Sequence, residues 1–190
     1  MLERKYLVHY VKVPTNVEDY AAKIGTANES QIQWTWVRIG QHLENFAEEM
    51  NPQVDIRKNI WGYQTAIHNG YQVSSNVDTF YETDHESDND YYLDKFLEAI
   101  VLHRWQGDMC RTERVDARVS LDVITGGVIS SEAGNLLWAW KEDCYLVPQS
   151  HGGDTSGAQI PFQISNLGNR EDVTTKFTVT NKVMAIASGS

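Results

Sequence analysis

The sequence contains few cysteines and prolines and no long hydrophobic run. Its 190 residues include two cysteines, Cys110 and Cys144, and four prolines. Two cysteines give no disulfide framework, so we expect both to be buried free thiols in a chain made in a reducing cytosol. The sequence has no run of about 18 apolar residues, so no transmembrane helix is predicted. The first residues also lack the apolar core of a signal peptide. We therefore expect no membrane partner and no export by a signal peptide.

Positive charge is also scarce. The chain has 26 acidic and 16 basic side chains and a formal net charge of −10. The bases occur singly or in pairs, without the clusters of Lys and Arg that contacts with phosphates need. Such a surface does not bind nucleic acid, although a surface of uniform negative charge can repel DNA and let it slide past.

The stretch HGGDTSGAQIPF, residues 151–162, contains the spacing of a phosphate-binding loop. Gly152 and Gly157 match its two glycines, but Ala158 and Gln159 stand where that loop needs a Lys and a Ser or Thr. The segment Asp154–Gly157 also departs from the Asp-Thr-Gly of aspartic proteases, and no second copy occurs. We interpret the stretch as a glycine-rich connection between two strands, because Gly, Asp, Thr and Ser favour turns.

Other candidate sites are equally incomplete. The run ETDHESDND, residues 82–90, has carboxylates at alternate positions as in a calcium loop, but Asn89 and Lys95 replace its Gly and its final Glu. We interpret it as a solvated acidic loop. No zinc pattern and no Gly-x-Ser-x-Gly occurs, so we expect no metal, no cofactor and no enzymatic activity. The pairs Trp34/Trp36 and Trp138/Trp140 are either sugar-stacking platforms or, as we favour, core or subunit-interface residues.

Hydrophobic periodicity predicts a mainly β (α+β) chain that forms a single domain over residues 1–190. Leu93, Phe96, Leu97, Ile100 and Val101 follow helical spacing, which predicts one amphipathic helix at about 90–106. A shorter helical turn is predicted at Leu43–Met50. Alternating apolar residues predict strands elsewhere, including a strand interrupted near Glu142 and Asp143 and a hairpin that turns at Gly168-Asn169.

Several segments in a fixed order resemble one protein family. They are WTWVRIGQHLENFAEEMNPQVDIRKNI, NPQVDIRKNIWGYQTAIHNGYQVSSNVDTFY, the acidic run with the helix after it, and DCYLVPQSHGGDTSGAQIPFQISNLGNR. Together they are similar to the major tail (tail tube) proteins of tailed bacteriophages and phage-tail-like particles of Gram-positive hosts. The resemblance covers about Lys5 to Phe177, without a match in Val123–Leu137.

The resemblance implies a β-sandwich or partial barrel of tail-tube type with one flanking helix. It implies a structural protein located in the virion tail, whose hexameric rings stack into a hollow β-barrel conduit for genome ejection. The implied partners are further copies of the chain, a tape-measure protein, and tail initiator and terminator proteins, with DNA as passing cargo. Alternatives are another phage structural protein, such as a tail terminator or a capsid- or sheath-associated protein, and a β-sandwich carbohydrate-binding module.

Within this family, polar strand positions are candidates for the lumen wall: Asp116, Asp122, Thr174 and Thr178. An excursion at about 45–61 is the candidate for contact with a neighbouring ring. The candidate ring-stacking or subunit-interface residues are Asn51, Pro52, Arg57, Lys58, Asn59, Gly152, Gly153 and Asp154. A register slip of one residue exchanges the two faces of a strand, so the lumen face is not fixed by sequence.

Overall fold

The computed structural model describes residues 7–39, 46–77, 91–120, 128–154, 157–181 and 183–188. Fifteen strands and two helices occur in these ranges. The strands are β1 Leu7–Pro14, β2 Trp34–Ile39, β3 Phe46–Glu49, β4 Pro52–Lys58, β5 Gln64–Tyr71, β6 Ser74–Val77, β7 Arg111–Val119, β8 Ile129–Ser130, β9 Leu136–Pro148, β10 Gly152–Asp154, β11 Gly157–Gln159, β12 Phe162–Asn166, β13 Glu171–Asp172, β14 Phe177–Thr180 and β15 Val183–Ile186. The helices are α1 Val17–Lys23 and α2 Tyr91–His103.

One antiparallel sheet organises the chain. Its strands lie in the order β2-β1-β7-β9-β12-β6-β3, and β13 pairs with β9 beyond this path. Three smaller sheets pair β4 with β5, β10 with β11, and β14 with both β8 and β15. The mainly β prediction is confirmed, and the described strands form no closed barrel.

The main sheet is covered on both faces, because apolar side chains of its strands point to each of the two faces. Val11 and Val13 of β1 contribute to a core beneath α2, together with Phe96 and Leu97 of that helix. Val8 and Tyr10 of the same strand contribute to a second core against β8, β14 and β15. Layers of this kind bury the apolar face of each element against another.

The predicted amphipathic helix is confirmed as α2. Its buried residues include Leu93, Phe96, Leu97 and Ile100, which recur at helical spacing. After the helix, Gly107 adopts φ +58°, a left-handed conformation that glycine adopts without a Cβ penalty. The chain continues through a 3-10 turn, Gly107–Cys110, into β7.

Three local predictions are wrong. Residues 46–49 of the expected helical turn form β3 instead, and they pair with β6. Strand β9 continues without a break through Glu142 and Asp143, because the buried Glu142 carboxylate accepts bonds from Asn166 and the Gly168 amide. No hairpin turns at Gly168-Asn169, because β12 and β13 both pair with β9 and residues 174–176 form a turn.

Candidate interaction surface

A two-stranded hairpin formed by β4 and β5 extends from the main sheet without packing against it. All residues of β4 are exposed, as are those of β5 apart from Gly70. The ladder runs from the pair Pro52 and Tyr71 to the pair Lys58 and Gln64. Its register shifts between Gln53 and Val54, where Asn69 is the unpaired residue of a bulge.

Apolar side chains are concentrated on one face of the hairpin and at its tip. Val54 and Ile56 share a face with Tyr71, whose ring lies 4.6 Å from the imidazole of His68. At the tip, Ile60 is 95% exposed, Trp61 79% and Tyr63 71%. Large apolar groups so fully in contact with water, next to one another, are typical of a surface that a partner covers.

The tip has a defined conformation although none of the other described residues packs against it. The Asn59 side-chain oxygen accepts bonds from the amides of Trp61 and Tyr63, each at 3.0 Å. Gly62 completes the turn with φ +84°, a region that side chains other than glycine rarely adopt. The apolar tip residues are therefore presented in a preformed arrangement, which lowers the entropy cost of binding.

The base of the hairpin is held by Asn51. Its φ of +41° is left-handed, and Asn tolerates this region better than most residues. Its side-chain amide donates to the Gln72 carbonyl at 3.1 Å and to the Ser74 hydroxyl at 3.3 Å. Asn51 thus links the hairpin to the first residue of β6.

Five of the predicted interface residues belong to this hairpin and its base: Asn51, Pro52, Arg57, Lys58 and Asn59. The predicted excursion at 45–61 covers only the first strand of the structure that forms here, because sequence alone does not show that β5 returns alongside β4. Gly152, Gly153 and Asp154 form β10, which pairs with β11. These three residues are therefore not part of the β4–β5 hairpin. The interpretation of HGGDTSGAQIPF as a connection between strands is confirmed.

The lumen candidates lie in different environments. Asp116 is 7% exposed, and its carboxylate binds His9 at 2.6 Å and also pairs with Arg114. In the single chain, this carboxylate is therefore part of the interior and not of a wall facing solvent. Thr174 and Thr178 are half-buried, and the Thr174 hydroxyl donates to Asp172 at 2.6 Å. Asp122 lies outside the described residues, as does the acidic run, so both assignments stay predictions.

A groove of about 870 Å³ opens at the end of the sheet where β7 begins. Its apolar surface comes from Ile24, Trp34 and Met109. Its charged lining residues are the bases Lys12 and Arg111 and the acids Glu29, Asp108, Glu113 and Asp143. Sequence reasoning missed this groove, since its lining comes from five separate segments and no local pattern connects them.

Two of the acids in the groove are already paired. Lys12 binds Glu113, and Arg111 binds Asp143, each at 2.6 Å. Glu29 and Asp108 form no ion pair with any Lys or Arg of the described residues. The groove therefore has an acidic side that a cationic partner would complement.

The tryptophan pairs are not open platforms for sugars. All four rings are half-buried. The Lys12 ammonium lies 5.2 Å from the Trp34 ring and 5.9 Å from the Trp36 ring, and the Arg170 guanidinium lies 4.9 Å from Trp140. Cations in these positions occupy faces on which a sugar would stack.

Among the described residues, no group of His, Cys, Asp and Glu side chains has the arrangement of a metal site. None of the described helices has the length and apolar character needed to cross a membrane.

No family model and no curated protein matches the chain. Among solved structures, it is similar to the sheath/tube terminator of an extracellular contractile injection system (PVC) in its extended state. That match has a TM-score of 0.47 and 8% identity, and covers 90% of this chain and 96% of the other. The chain is also similar to the tube terminating cap of the anti-feeding prophage, with a TM-score of 0.43, 6% identity, and coverage of 98% and 92%. Both TM-scores lie below 0.5, so neither match assigns a role to this chain.

Proposed function

We propose that this chain is a structural subunit of a phage tail or phage-tail-like particle, in which copies assemble into rings on the axis of a tube. The observation that carries the proposal is the β4–β5 hairpin, which displays an apolar face and tip that no other described part of the chain covers. An isolated two-stranded hairpin is only marginally stable in water. A partner surface that binds the hairpin would bury its apolar side chains and so stabilise it.

The open edges of the main sheet support the same proposal. Within the described residues, β2 pairs only with β1, and β3 pairs only with β6. Unpaired strand edges promote uncontrolled association unless they are covered. In a closed ring each edge would meet an edge of the next copy, which removes the free edges.

Two kinds of ring are consistent with this geometry. A tail tube subunit, as the sequence resemblance implies, forms many stacked rings and a hollow conduit for DNA. A tail terminator forms one ring at the end of the tube, and the two solved structures reported above are both described as terminating components. The two roles share the hairpin and the sheet edges and differ in whether one ring accepts another.

The partners follow from the same proposal. Further copies of the chain contact its edges and hairpin, and neighbouring tail proteins such as a tape-measure or initiator protein meet the ring. The net charge of −10 suits a conduit through which DNA passes without binding. Thr174 and Thr178 remain our candidates for its wall. Replacing them with Lys should slow DNA passage, and unchanged passage would contradict that assignment.

The test is electron microscopy of the purified chain at increasing concentration, with light scattering on the same samples. Stacked rings or tubes with a central pore support the tube subunit, and single rings that do not stack support the terminator. Adding preformed tail tubes separates the two further, because a terminator binds only to tube ends. A chain that stays monomeric alone and also fails to bind tubes contradicts both roles.

A further inference from the structure

We infer that the tip of the β4–β5 hairpin docks into the groove at the start of β7 in a second copy of this chain. This inference rests on the proposed function and specifies which surfaces make the contact between subunits. It joins two features of the described residues, an exposed apolar tip and an open groove with an apolar lining, that carry opposite charge.

The hairpin and the groove lie at opposite edges of the sheet. The hairpin extends from β3 and β6, the last two strands of the order β2-β1-β7-β9-β12-β6-β3. The groove is lined by Trp34 of β2 and Lys12 of β1, the first two strands of that order, and by Arg111 and Thr112 at the beginning of β7.

A contact between unlike surfaces on opposite edges of a molecule is a head-to-tail contact. Such contacts produce closed rings when the rotation between copies closes, and open stacks or filaments when it does not. A hairpin at one edge and a groove at the other thus allow every copy in an assembly to bind one neighbour and be bound by another.

Both partners present apolar surface. The groove has a volume of about 870 Å³. The Trp34 ring, the Met109 side chain and Ile24 form an apolar surface for Trp61 and Ile60 of the incoming tip. Buried tryptophans at the centre of an interface commonly contribute much of its binding energy.

The charges of the two partners are opposite. Residues 52–71 of the hairpin contain two bases, Arg57 and Lys58, and one acid, Asp55, in a chain with a net charge of −10. The groove has four acids to two bases, and its unpaired acids are Glu29 and Asp108. Arg57 and Lys58 lie close to the tip, and they would meet these carboxylates as Trp61 enters the groove. Complementary charge of this kind fixes register and accelerates association.

Disulfide trapping tests the contact directly. Tyr63→Cys in one copy and Ser30→Cys in another should form an intermolecular disulfide under assembly conditions, because Tyr63 lies at the exposed tip, Trp61 stays in place, and this bond requires Cα atoms within about 7 Å. The native thiols of Cys110 and Cys144 are buried and do not compete. Leu137→Cys replaces Ser30→Cys in the control, since Leu137 is exposed but lies at the end of β9 away from Asp143 and the groove. No disulfide is expected in the control mixture.

Charge reversal gives a second, independent readout. A chain with Lys58→Glu and Arg57→Glu should associate with wild-type copies roughly tenfold more weakly or worse. A chain with Glu29→Lys and Asp108→Lys should show the same defect, and a mixture of the two altered chains should recover association. Recovery requires that these residues face each other, which a general loss of folding would not produce.

The outcomes separate the docking inference from the proposed function. Rings or tubes that form without the Tyr63–Ser30 cross-link and without charge rescue overturn the docking inference alone. Wild-type chains that neither self-associate nor bind preformed tubes overturn the proposed function, and the docking inference with it. The cross-link together with the rescue supports both.

Discussion

The guanidinium of Arg114 pairs with the carboxylate of Asp116, two residues further along β7 on the same face of the sheet. Arg114 is 2% exposed and pairs also with Glu48 of β3. Its other nitrogen lies 3.4 Å from the Ser75 hydroxyl of β6. The arginine therefore connects the middle of the sheet to the edge from which the hairpin extends.

Replacing Arg114 with Met should be strongly destabilising, although Met has a similar shape. It would leave the buried carboxylate of Asp116 without its guanidinium, and breaking a buried pair by removing one partner costs about 3–5 kcal/mol. Chemical denaturation of the monomer measures this change in the free energy of unfolding.

Arg111→Met is the matched control on the same strand. Arg111 is exposed and binds Asp143 at 2.6 Å, and exposed ion pairs contribute little to stability. Equal losses of unfolding free energy in the two variants would contradict the expectation that the buried ion pairs of Arg114 stabilise the fold more than the exposed pair of Arg111.

Acid should weaken the fold through Asp116. Burial raises the pKa of this carboxyl, but its bonds to His9 and Arg114 outweigh burial and hold the pKa below the usual value of 3.8. The stability that these bonds give is present above the unfolded pKa and is lost as pH falls through the lower folded pKa. Asp116→Asn should therefore lower the free energy of unfolding more at pH 7 than at pH 3, as denaturation at the two pH values would show. A cost that does not change with pH would contradict this assignment.

Glu142 should have the opposite pH dependence. Burial raises its pKa above the usual 4.5, and the nearby Arg114 and the Gly168 amide only partly offset this. A raised folded-state pKa favours the protonated form, so the carboxyl lowers stability as pH rises through that pKa. Glu142→Gln removes the charge, and the new amide is expected to donate to the buried Asn166 Oδ1, which has no hydrogen-bond partner among the described residues.

We expect the free energy of unfolding of Glu142→Gln to increase relative to that of wild type as the pH rises from 4 to 7, as denaturation measurements would show. Asn166→Ala in the same background shows whether the new amide bond contributes. A difference between Glu142→Gln and wild type that is constant with pH would mean that Glu142 is not held above its ordinary pKa.

Periodicity in the sequence predicts the elements that bury one regular face. The spacing of Leu93, Phe96 and Leu97 predicts α2, and the alternation of Val115, Ala117 and Val119 predicts the buried face of β7. Both patterns report local burial, which is the property that sequence alone carries most directly.

The candidate site was harder to predict because its features depend on contacts distant in sequence. The alternation of Asp116 with apolar residues favours an exposed face, but His9 and Arg114 occupy that face and bury the carboxylate. The groove similarly joins Lys12, Glu29 and Asp108, which only the folded chain brings together. The hairpin is the intermediate case, since its turn residues are visible in sequence but its lack of packing is not.

Removing the hairpin should leave the body of the molecule stable. The Gln72 amide already donates to the Asn51 carbonyl at 3.2 Å, so an Asn-Gly turn can replace Pro52–Tyr71 without moving either residue. No hairpin residue belongs to either core, so the melting temperature of the monomer should change little. Assembly should be lost, because the removed surface is the one proposed to bind.

Ile60→Ser with Trp61→Ser is the matched variant that keeps the hairpin backbone. It should also remove assembly while leaving the melting temperature unchanged, as light scattering and calorimetry would show. A large drop in the melting temperature in either variant would mean that the hairpin stabilises the body, and the reading of it as an unpartnered surface would be wrong.

The two cysteines should be unreactive in the native chain and should differ in how they become reactive. Cys144 is fully buried in the main sheet, and burial raises the pKa of its thiol to about 12. Burial also raises the pKa of Cys110, whose Sγ lies 3.3 Å from the Trp105 carbonyl in the turn beside the groove. Because only the thiolate reacts, both thiols should resist a disulfide reagent at pH 8.

Local opening of the 3-10 turn needs less energy than opening the central sheet. Cys110 should therefore react first, at a rate that Cys110→Ser removes, and Cys144 should react only as fast as the whole chain unfolds. Two thiols per chain should react at once in denaturant. Prompt labelling of Cys144 without denaturant would contradict the packing of β9 between its neighbouring strands. Slower labelling of Cys110 in assembled particles than in monomers would, in turn, agree with a neighbour that fills the groove.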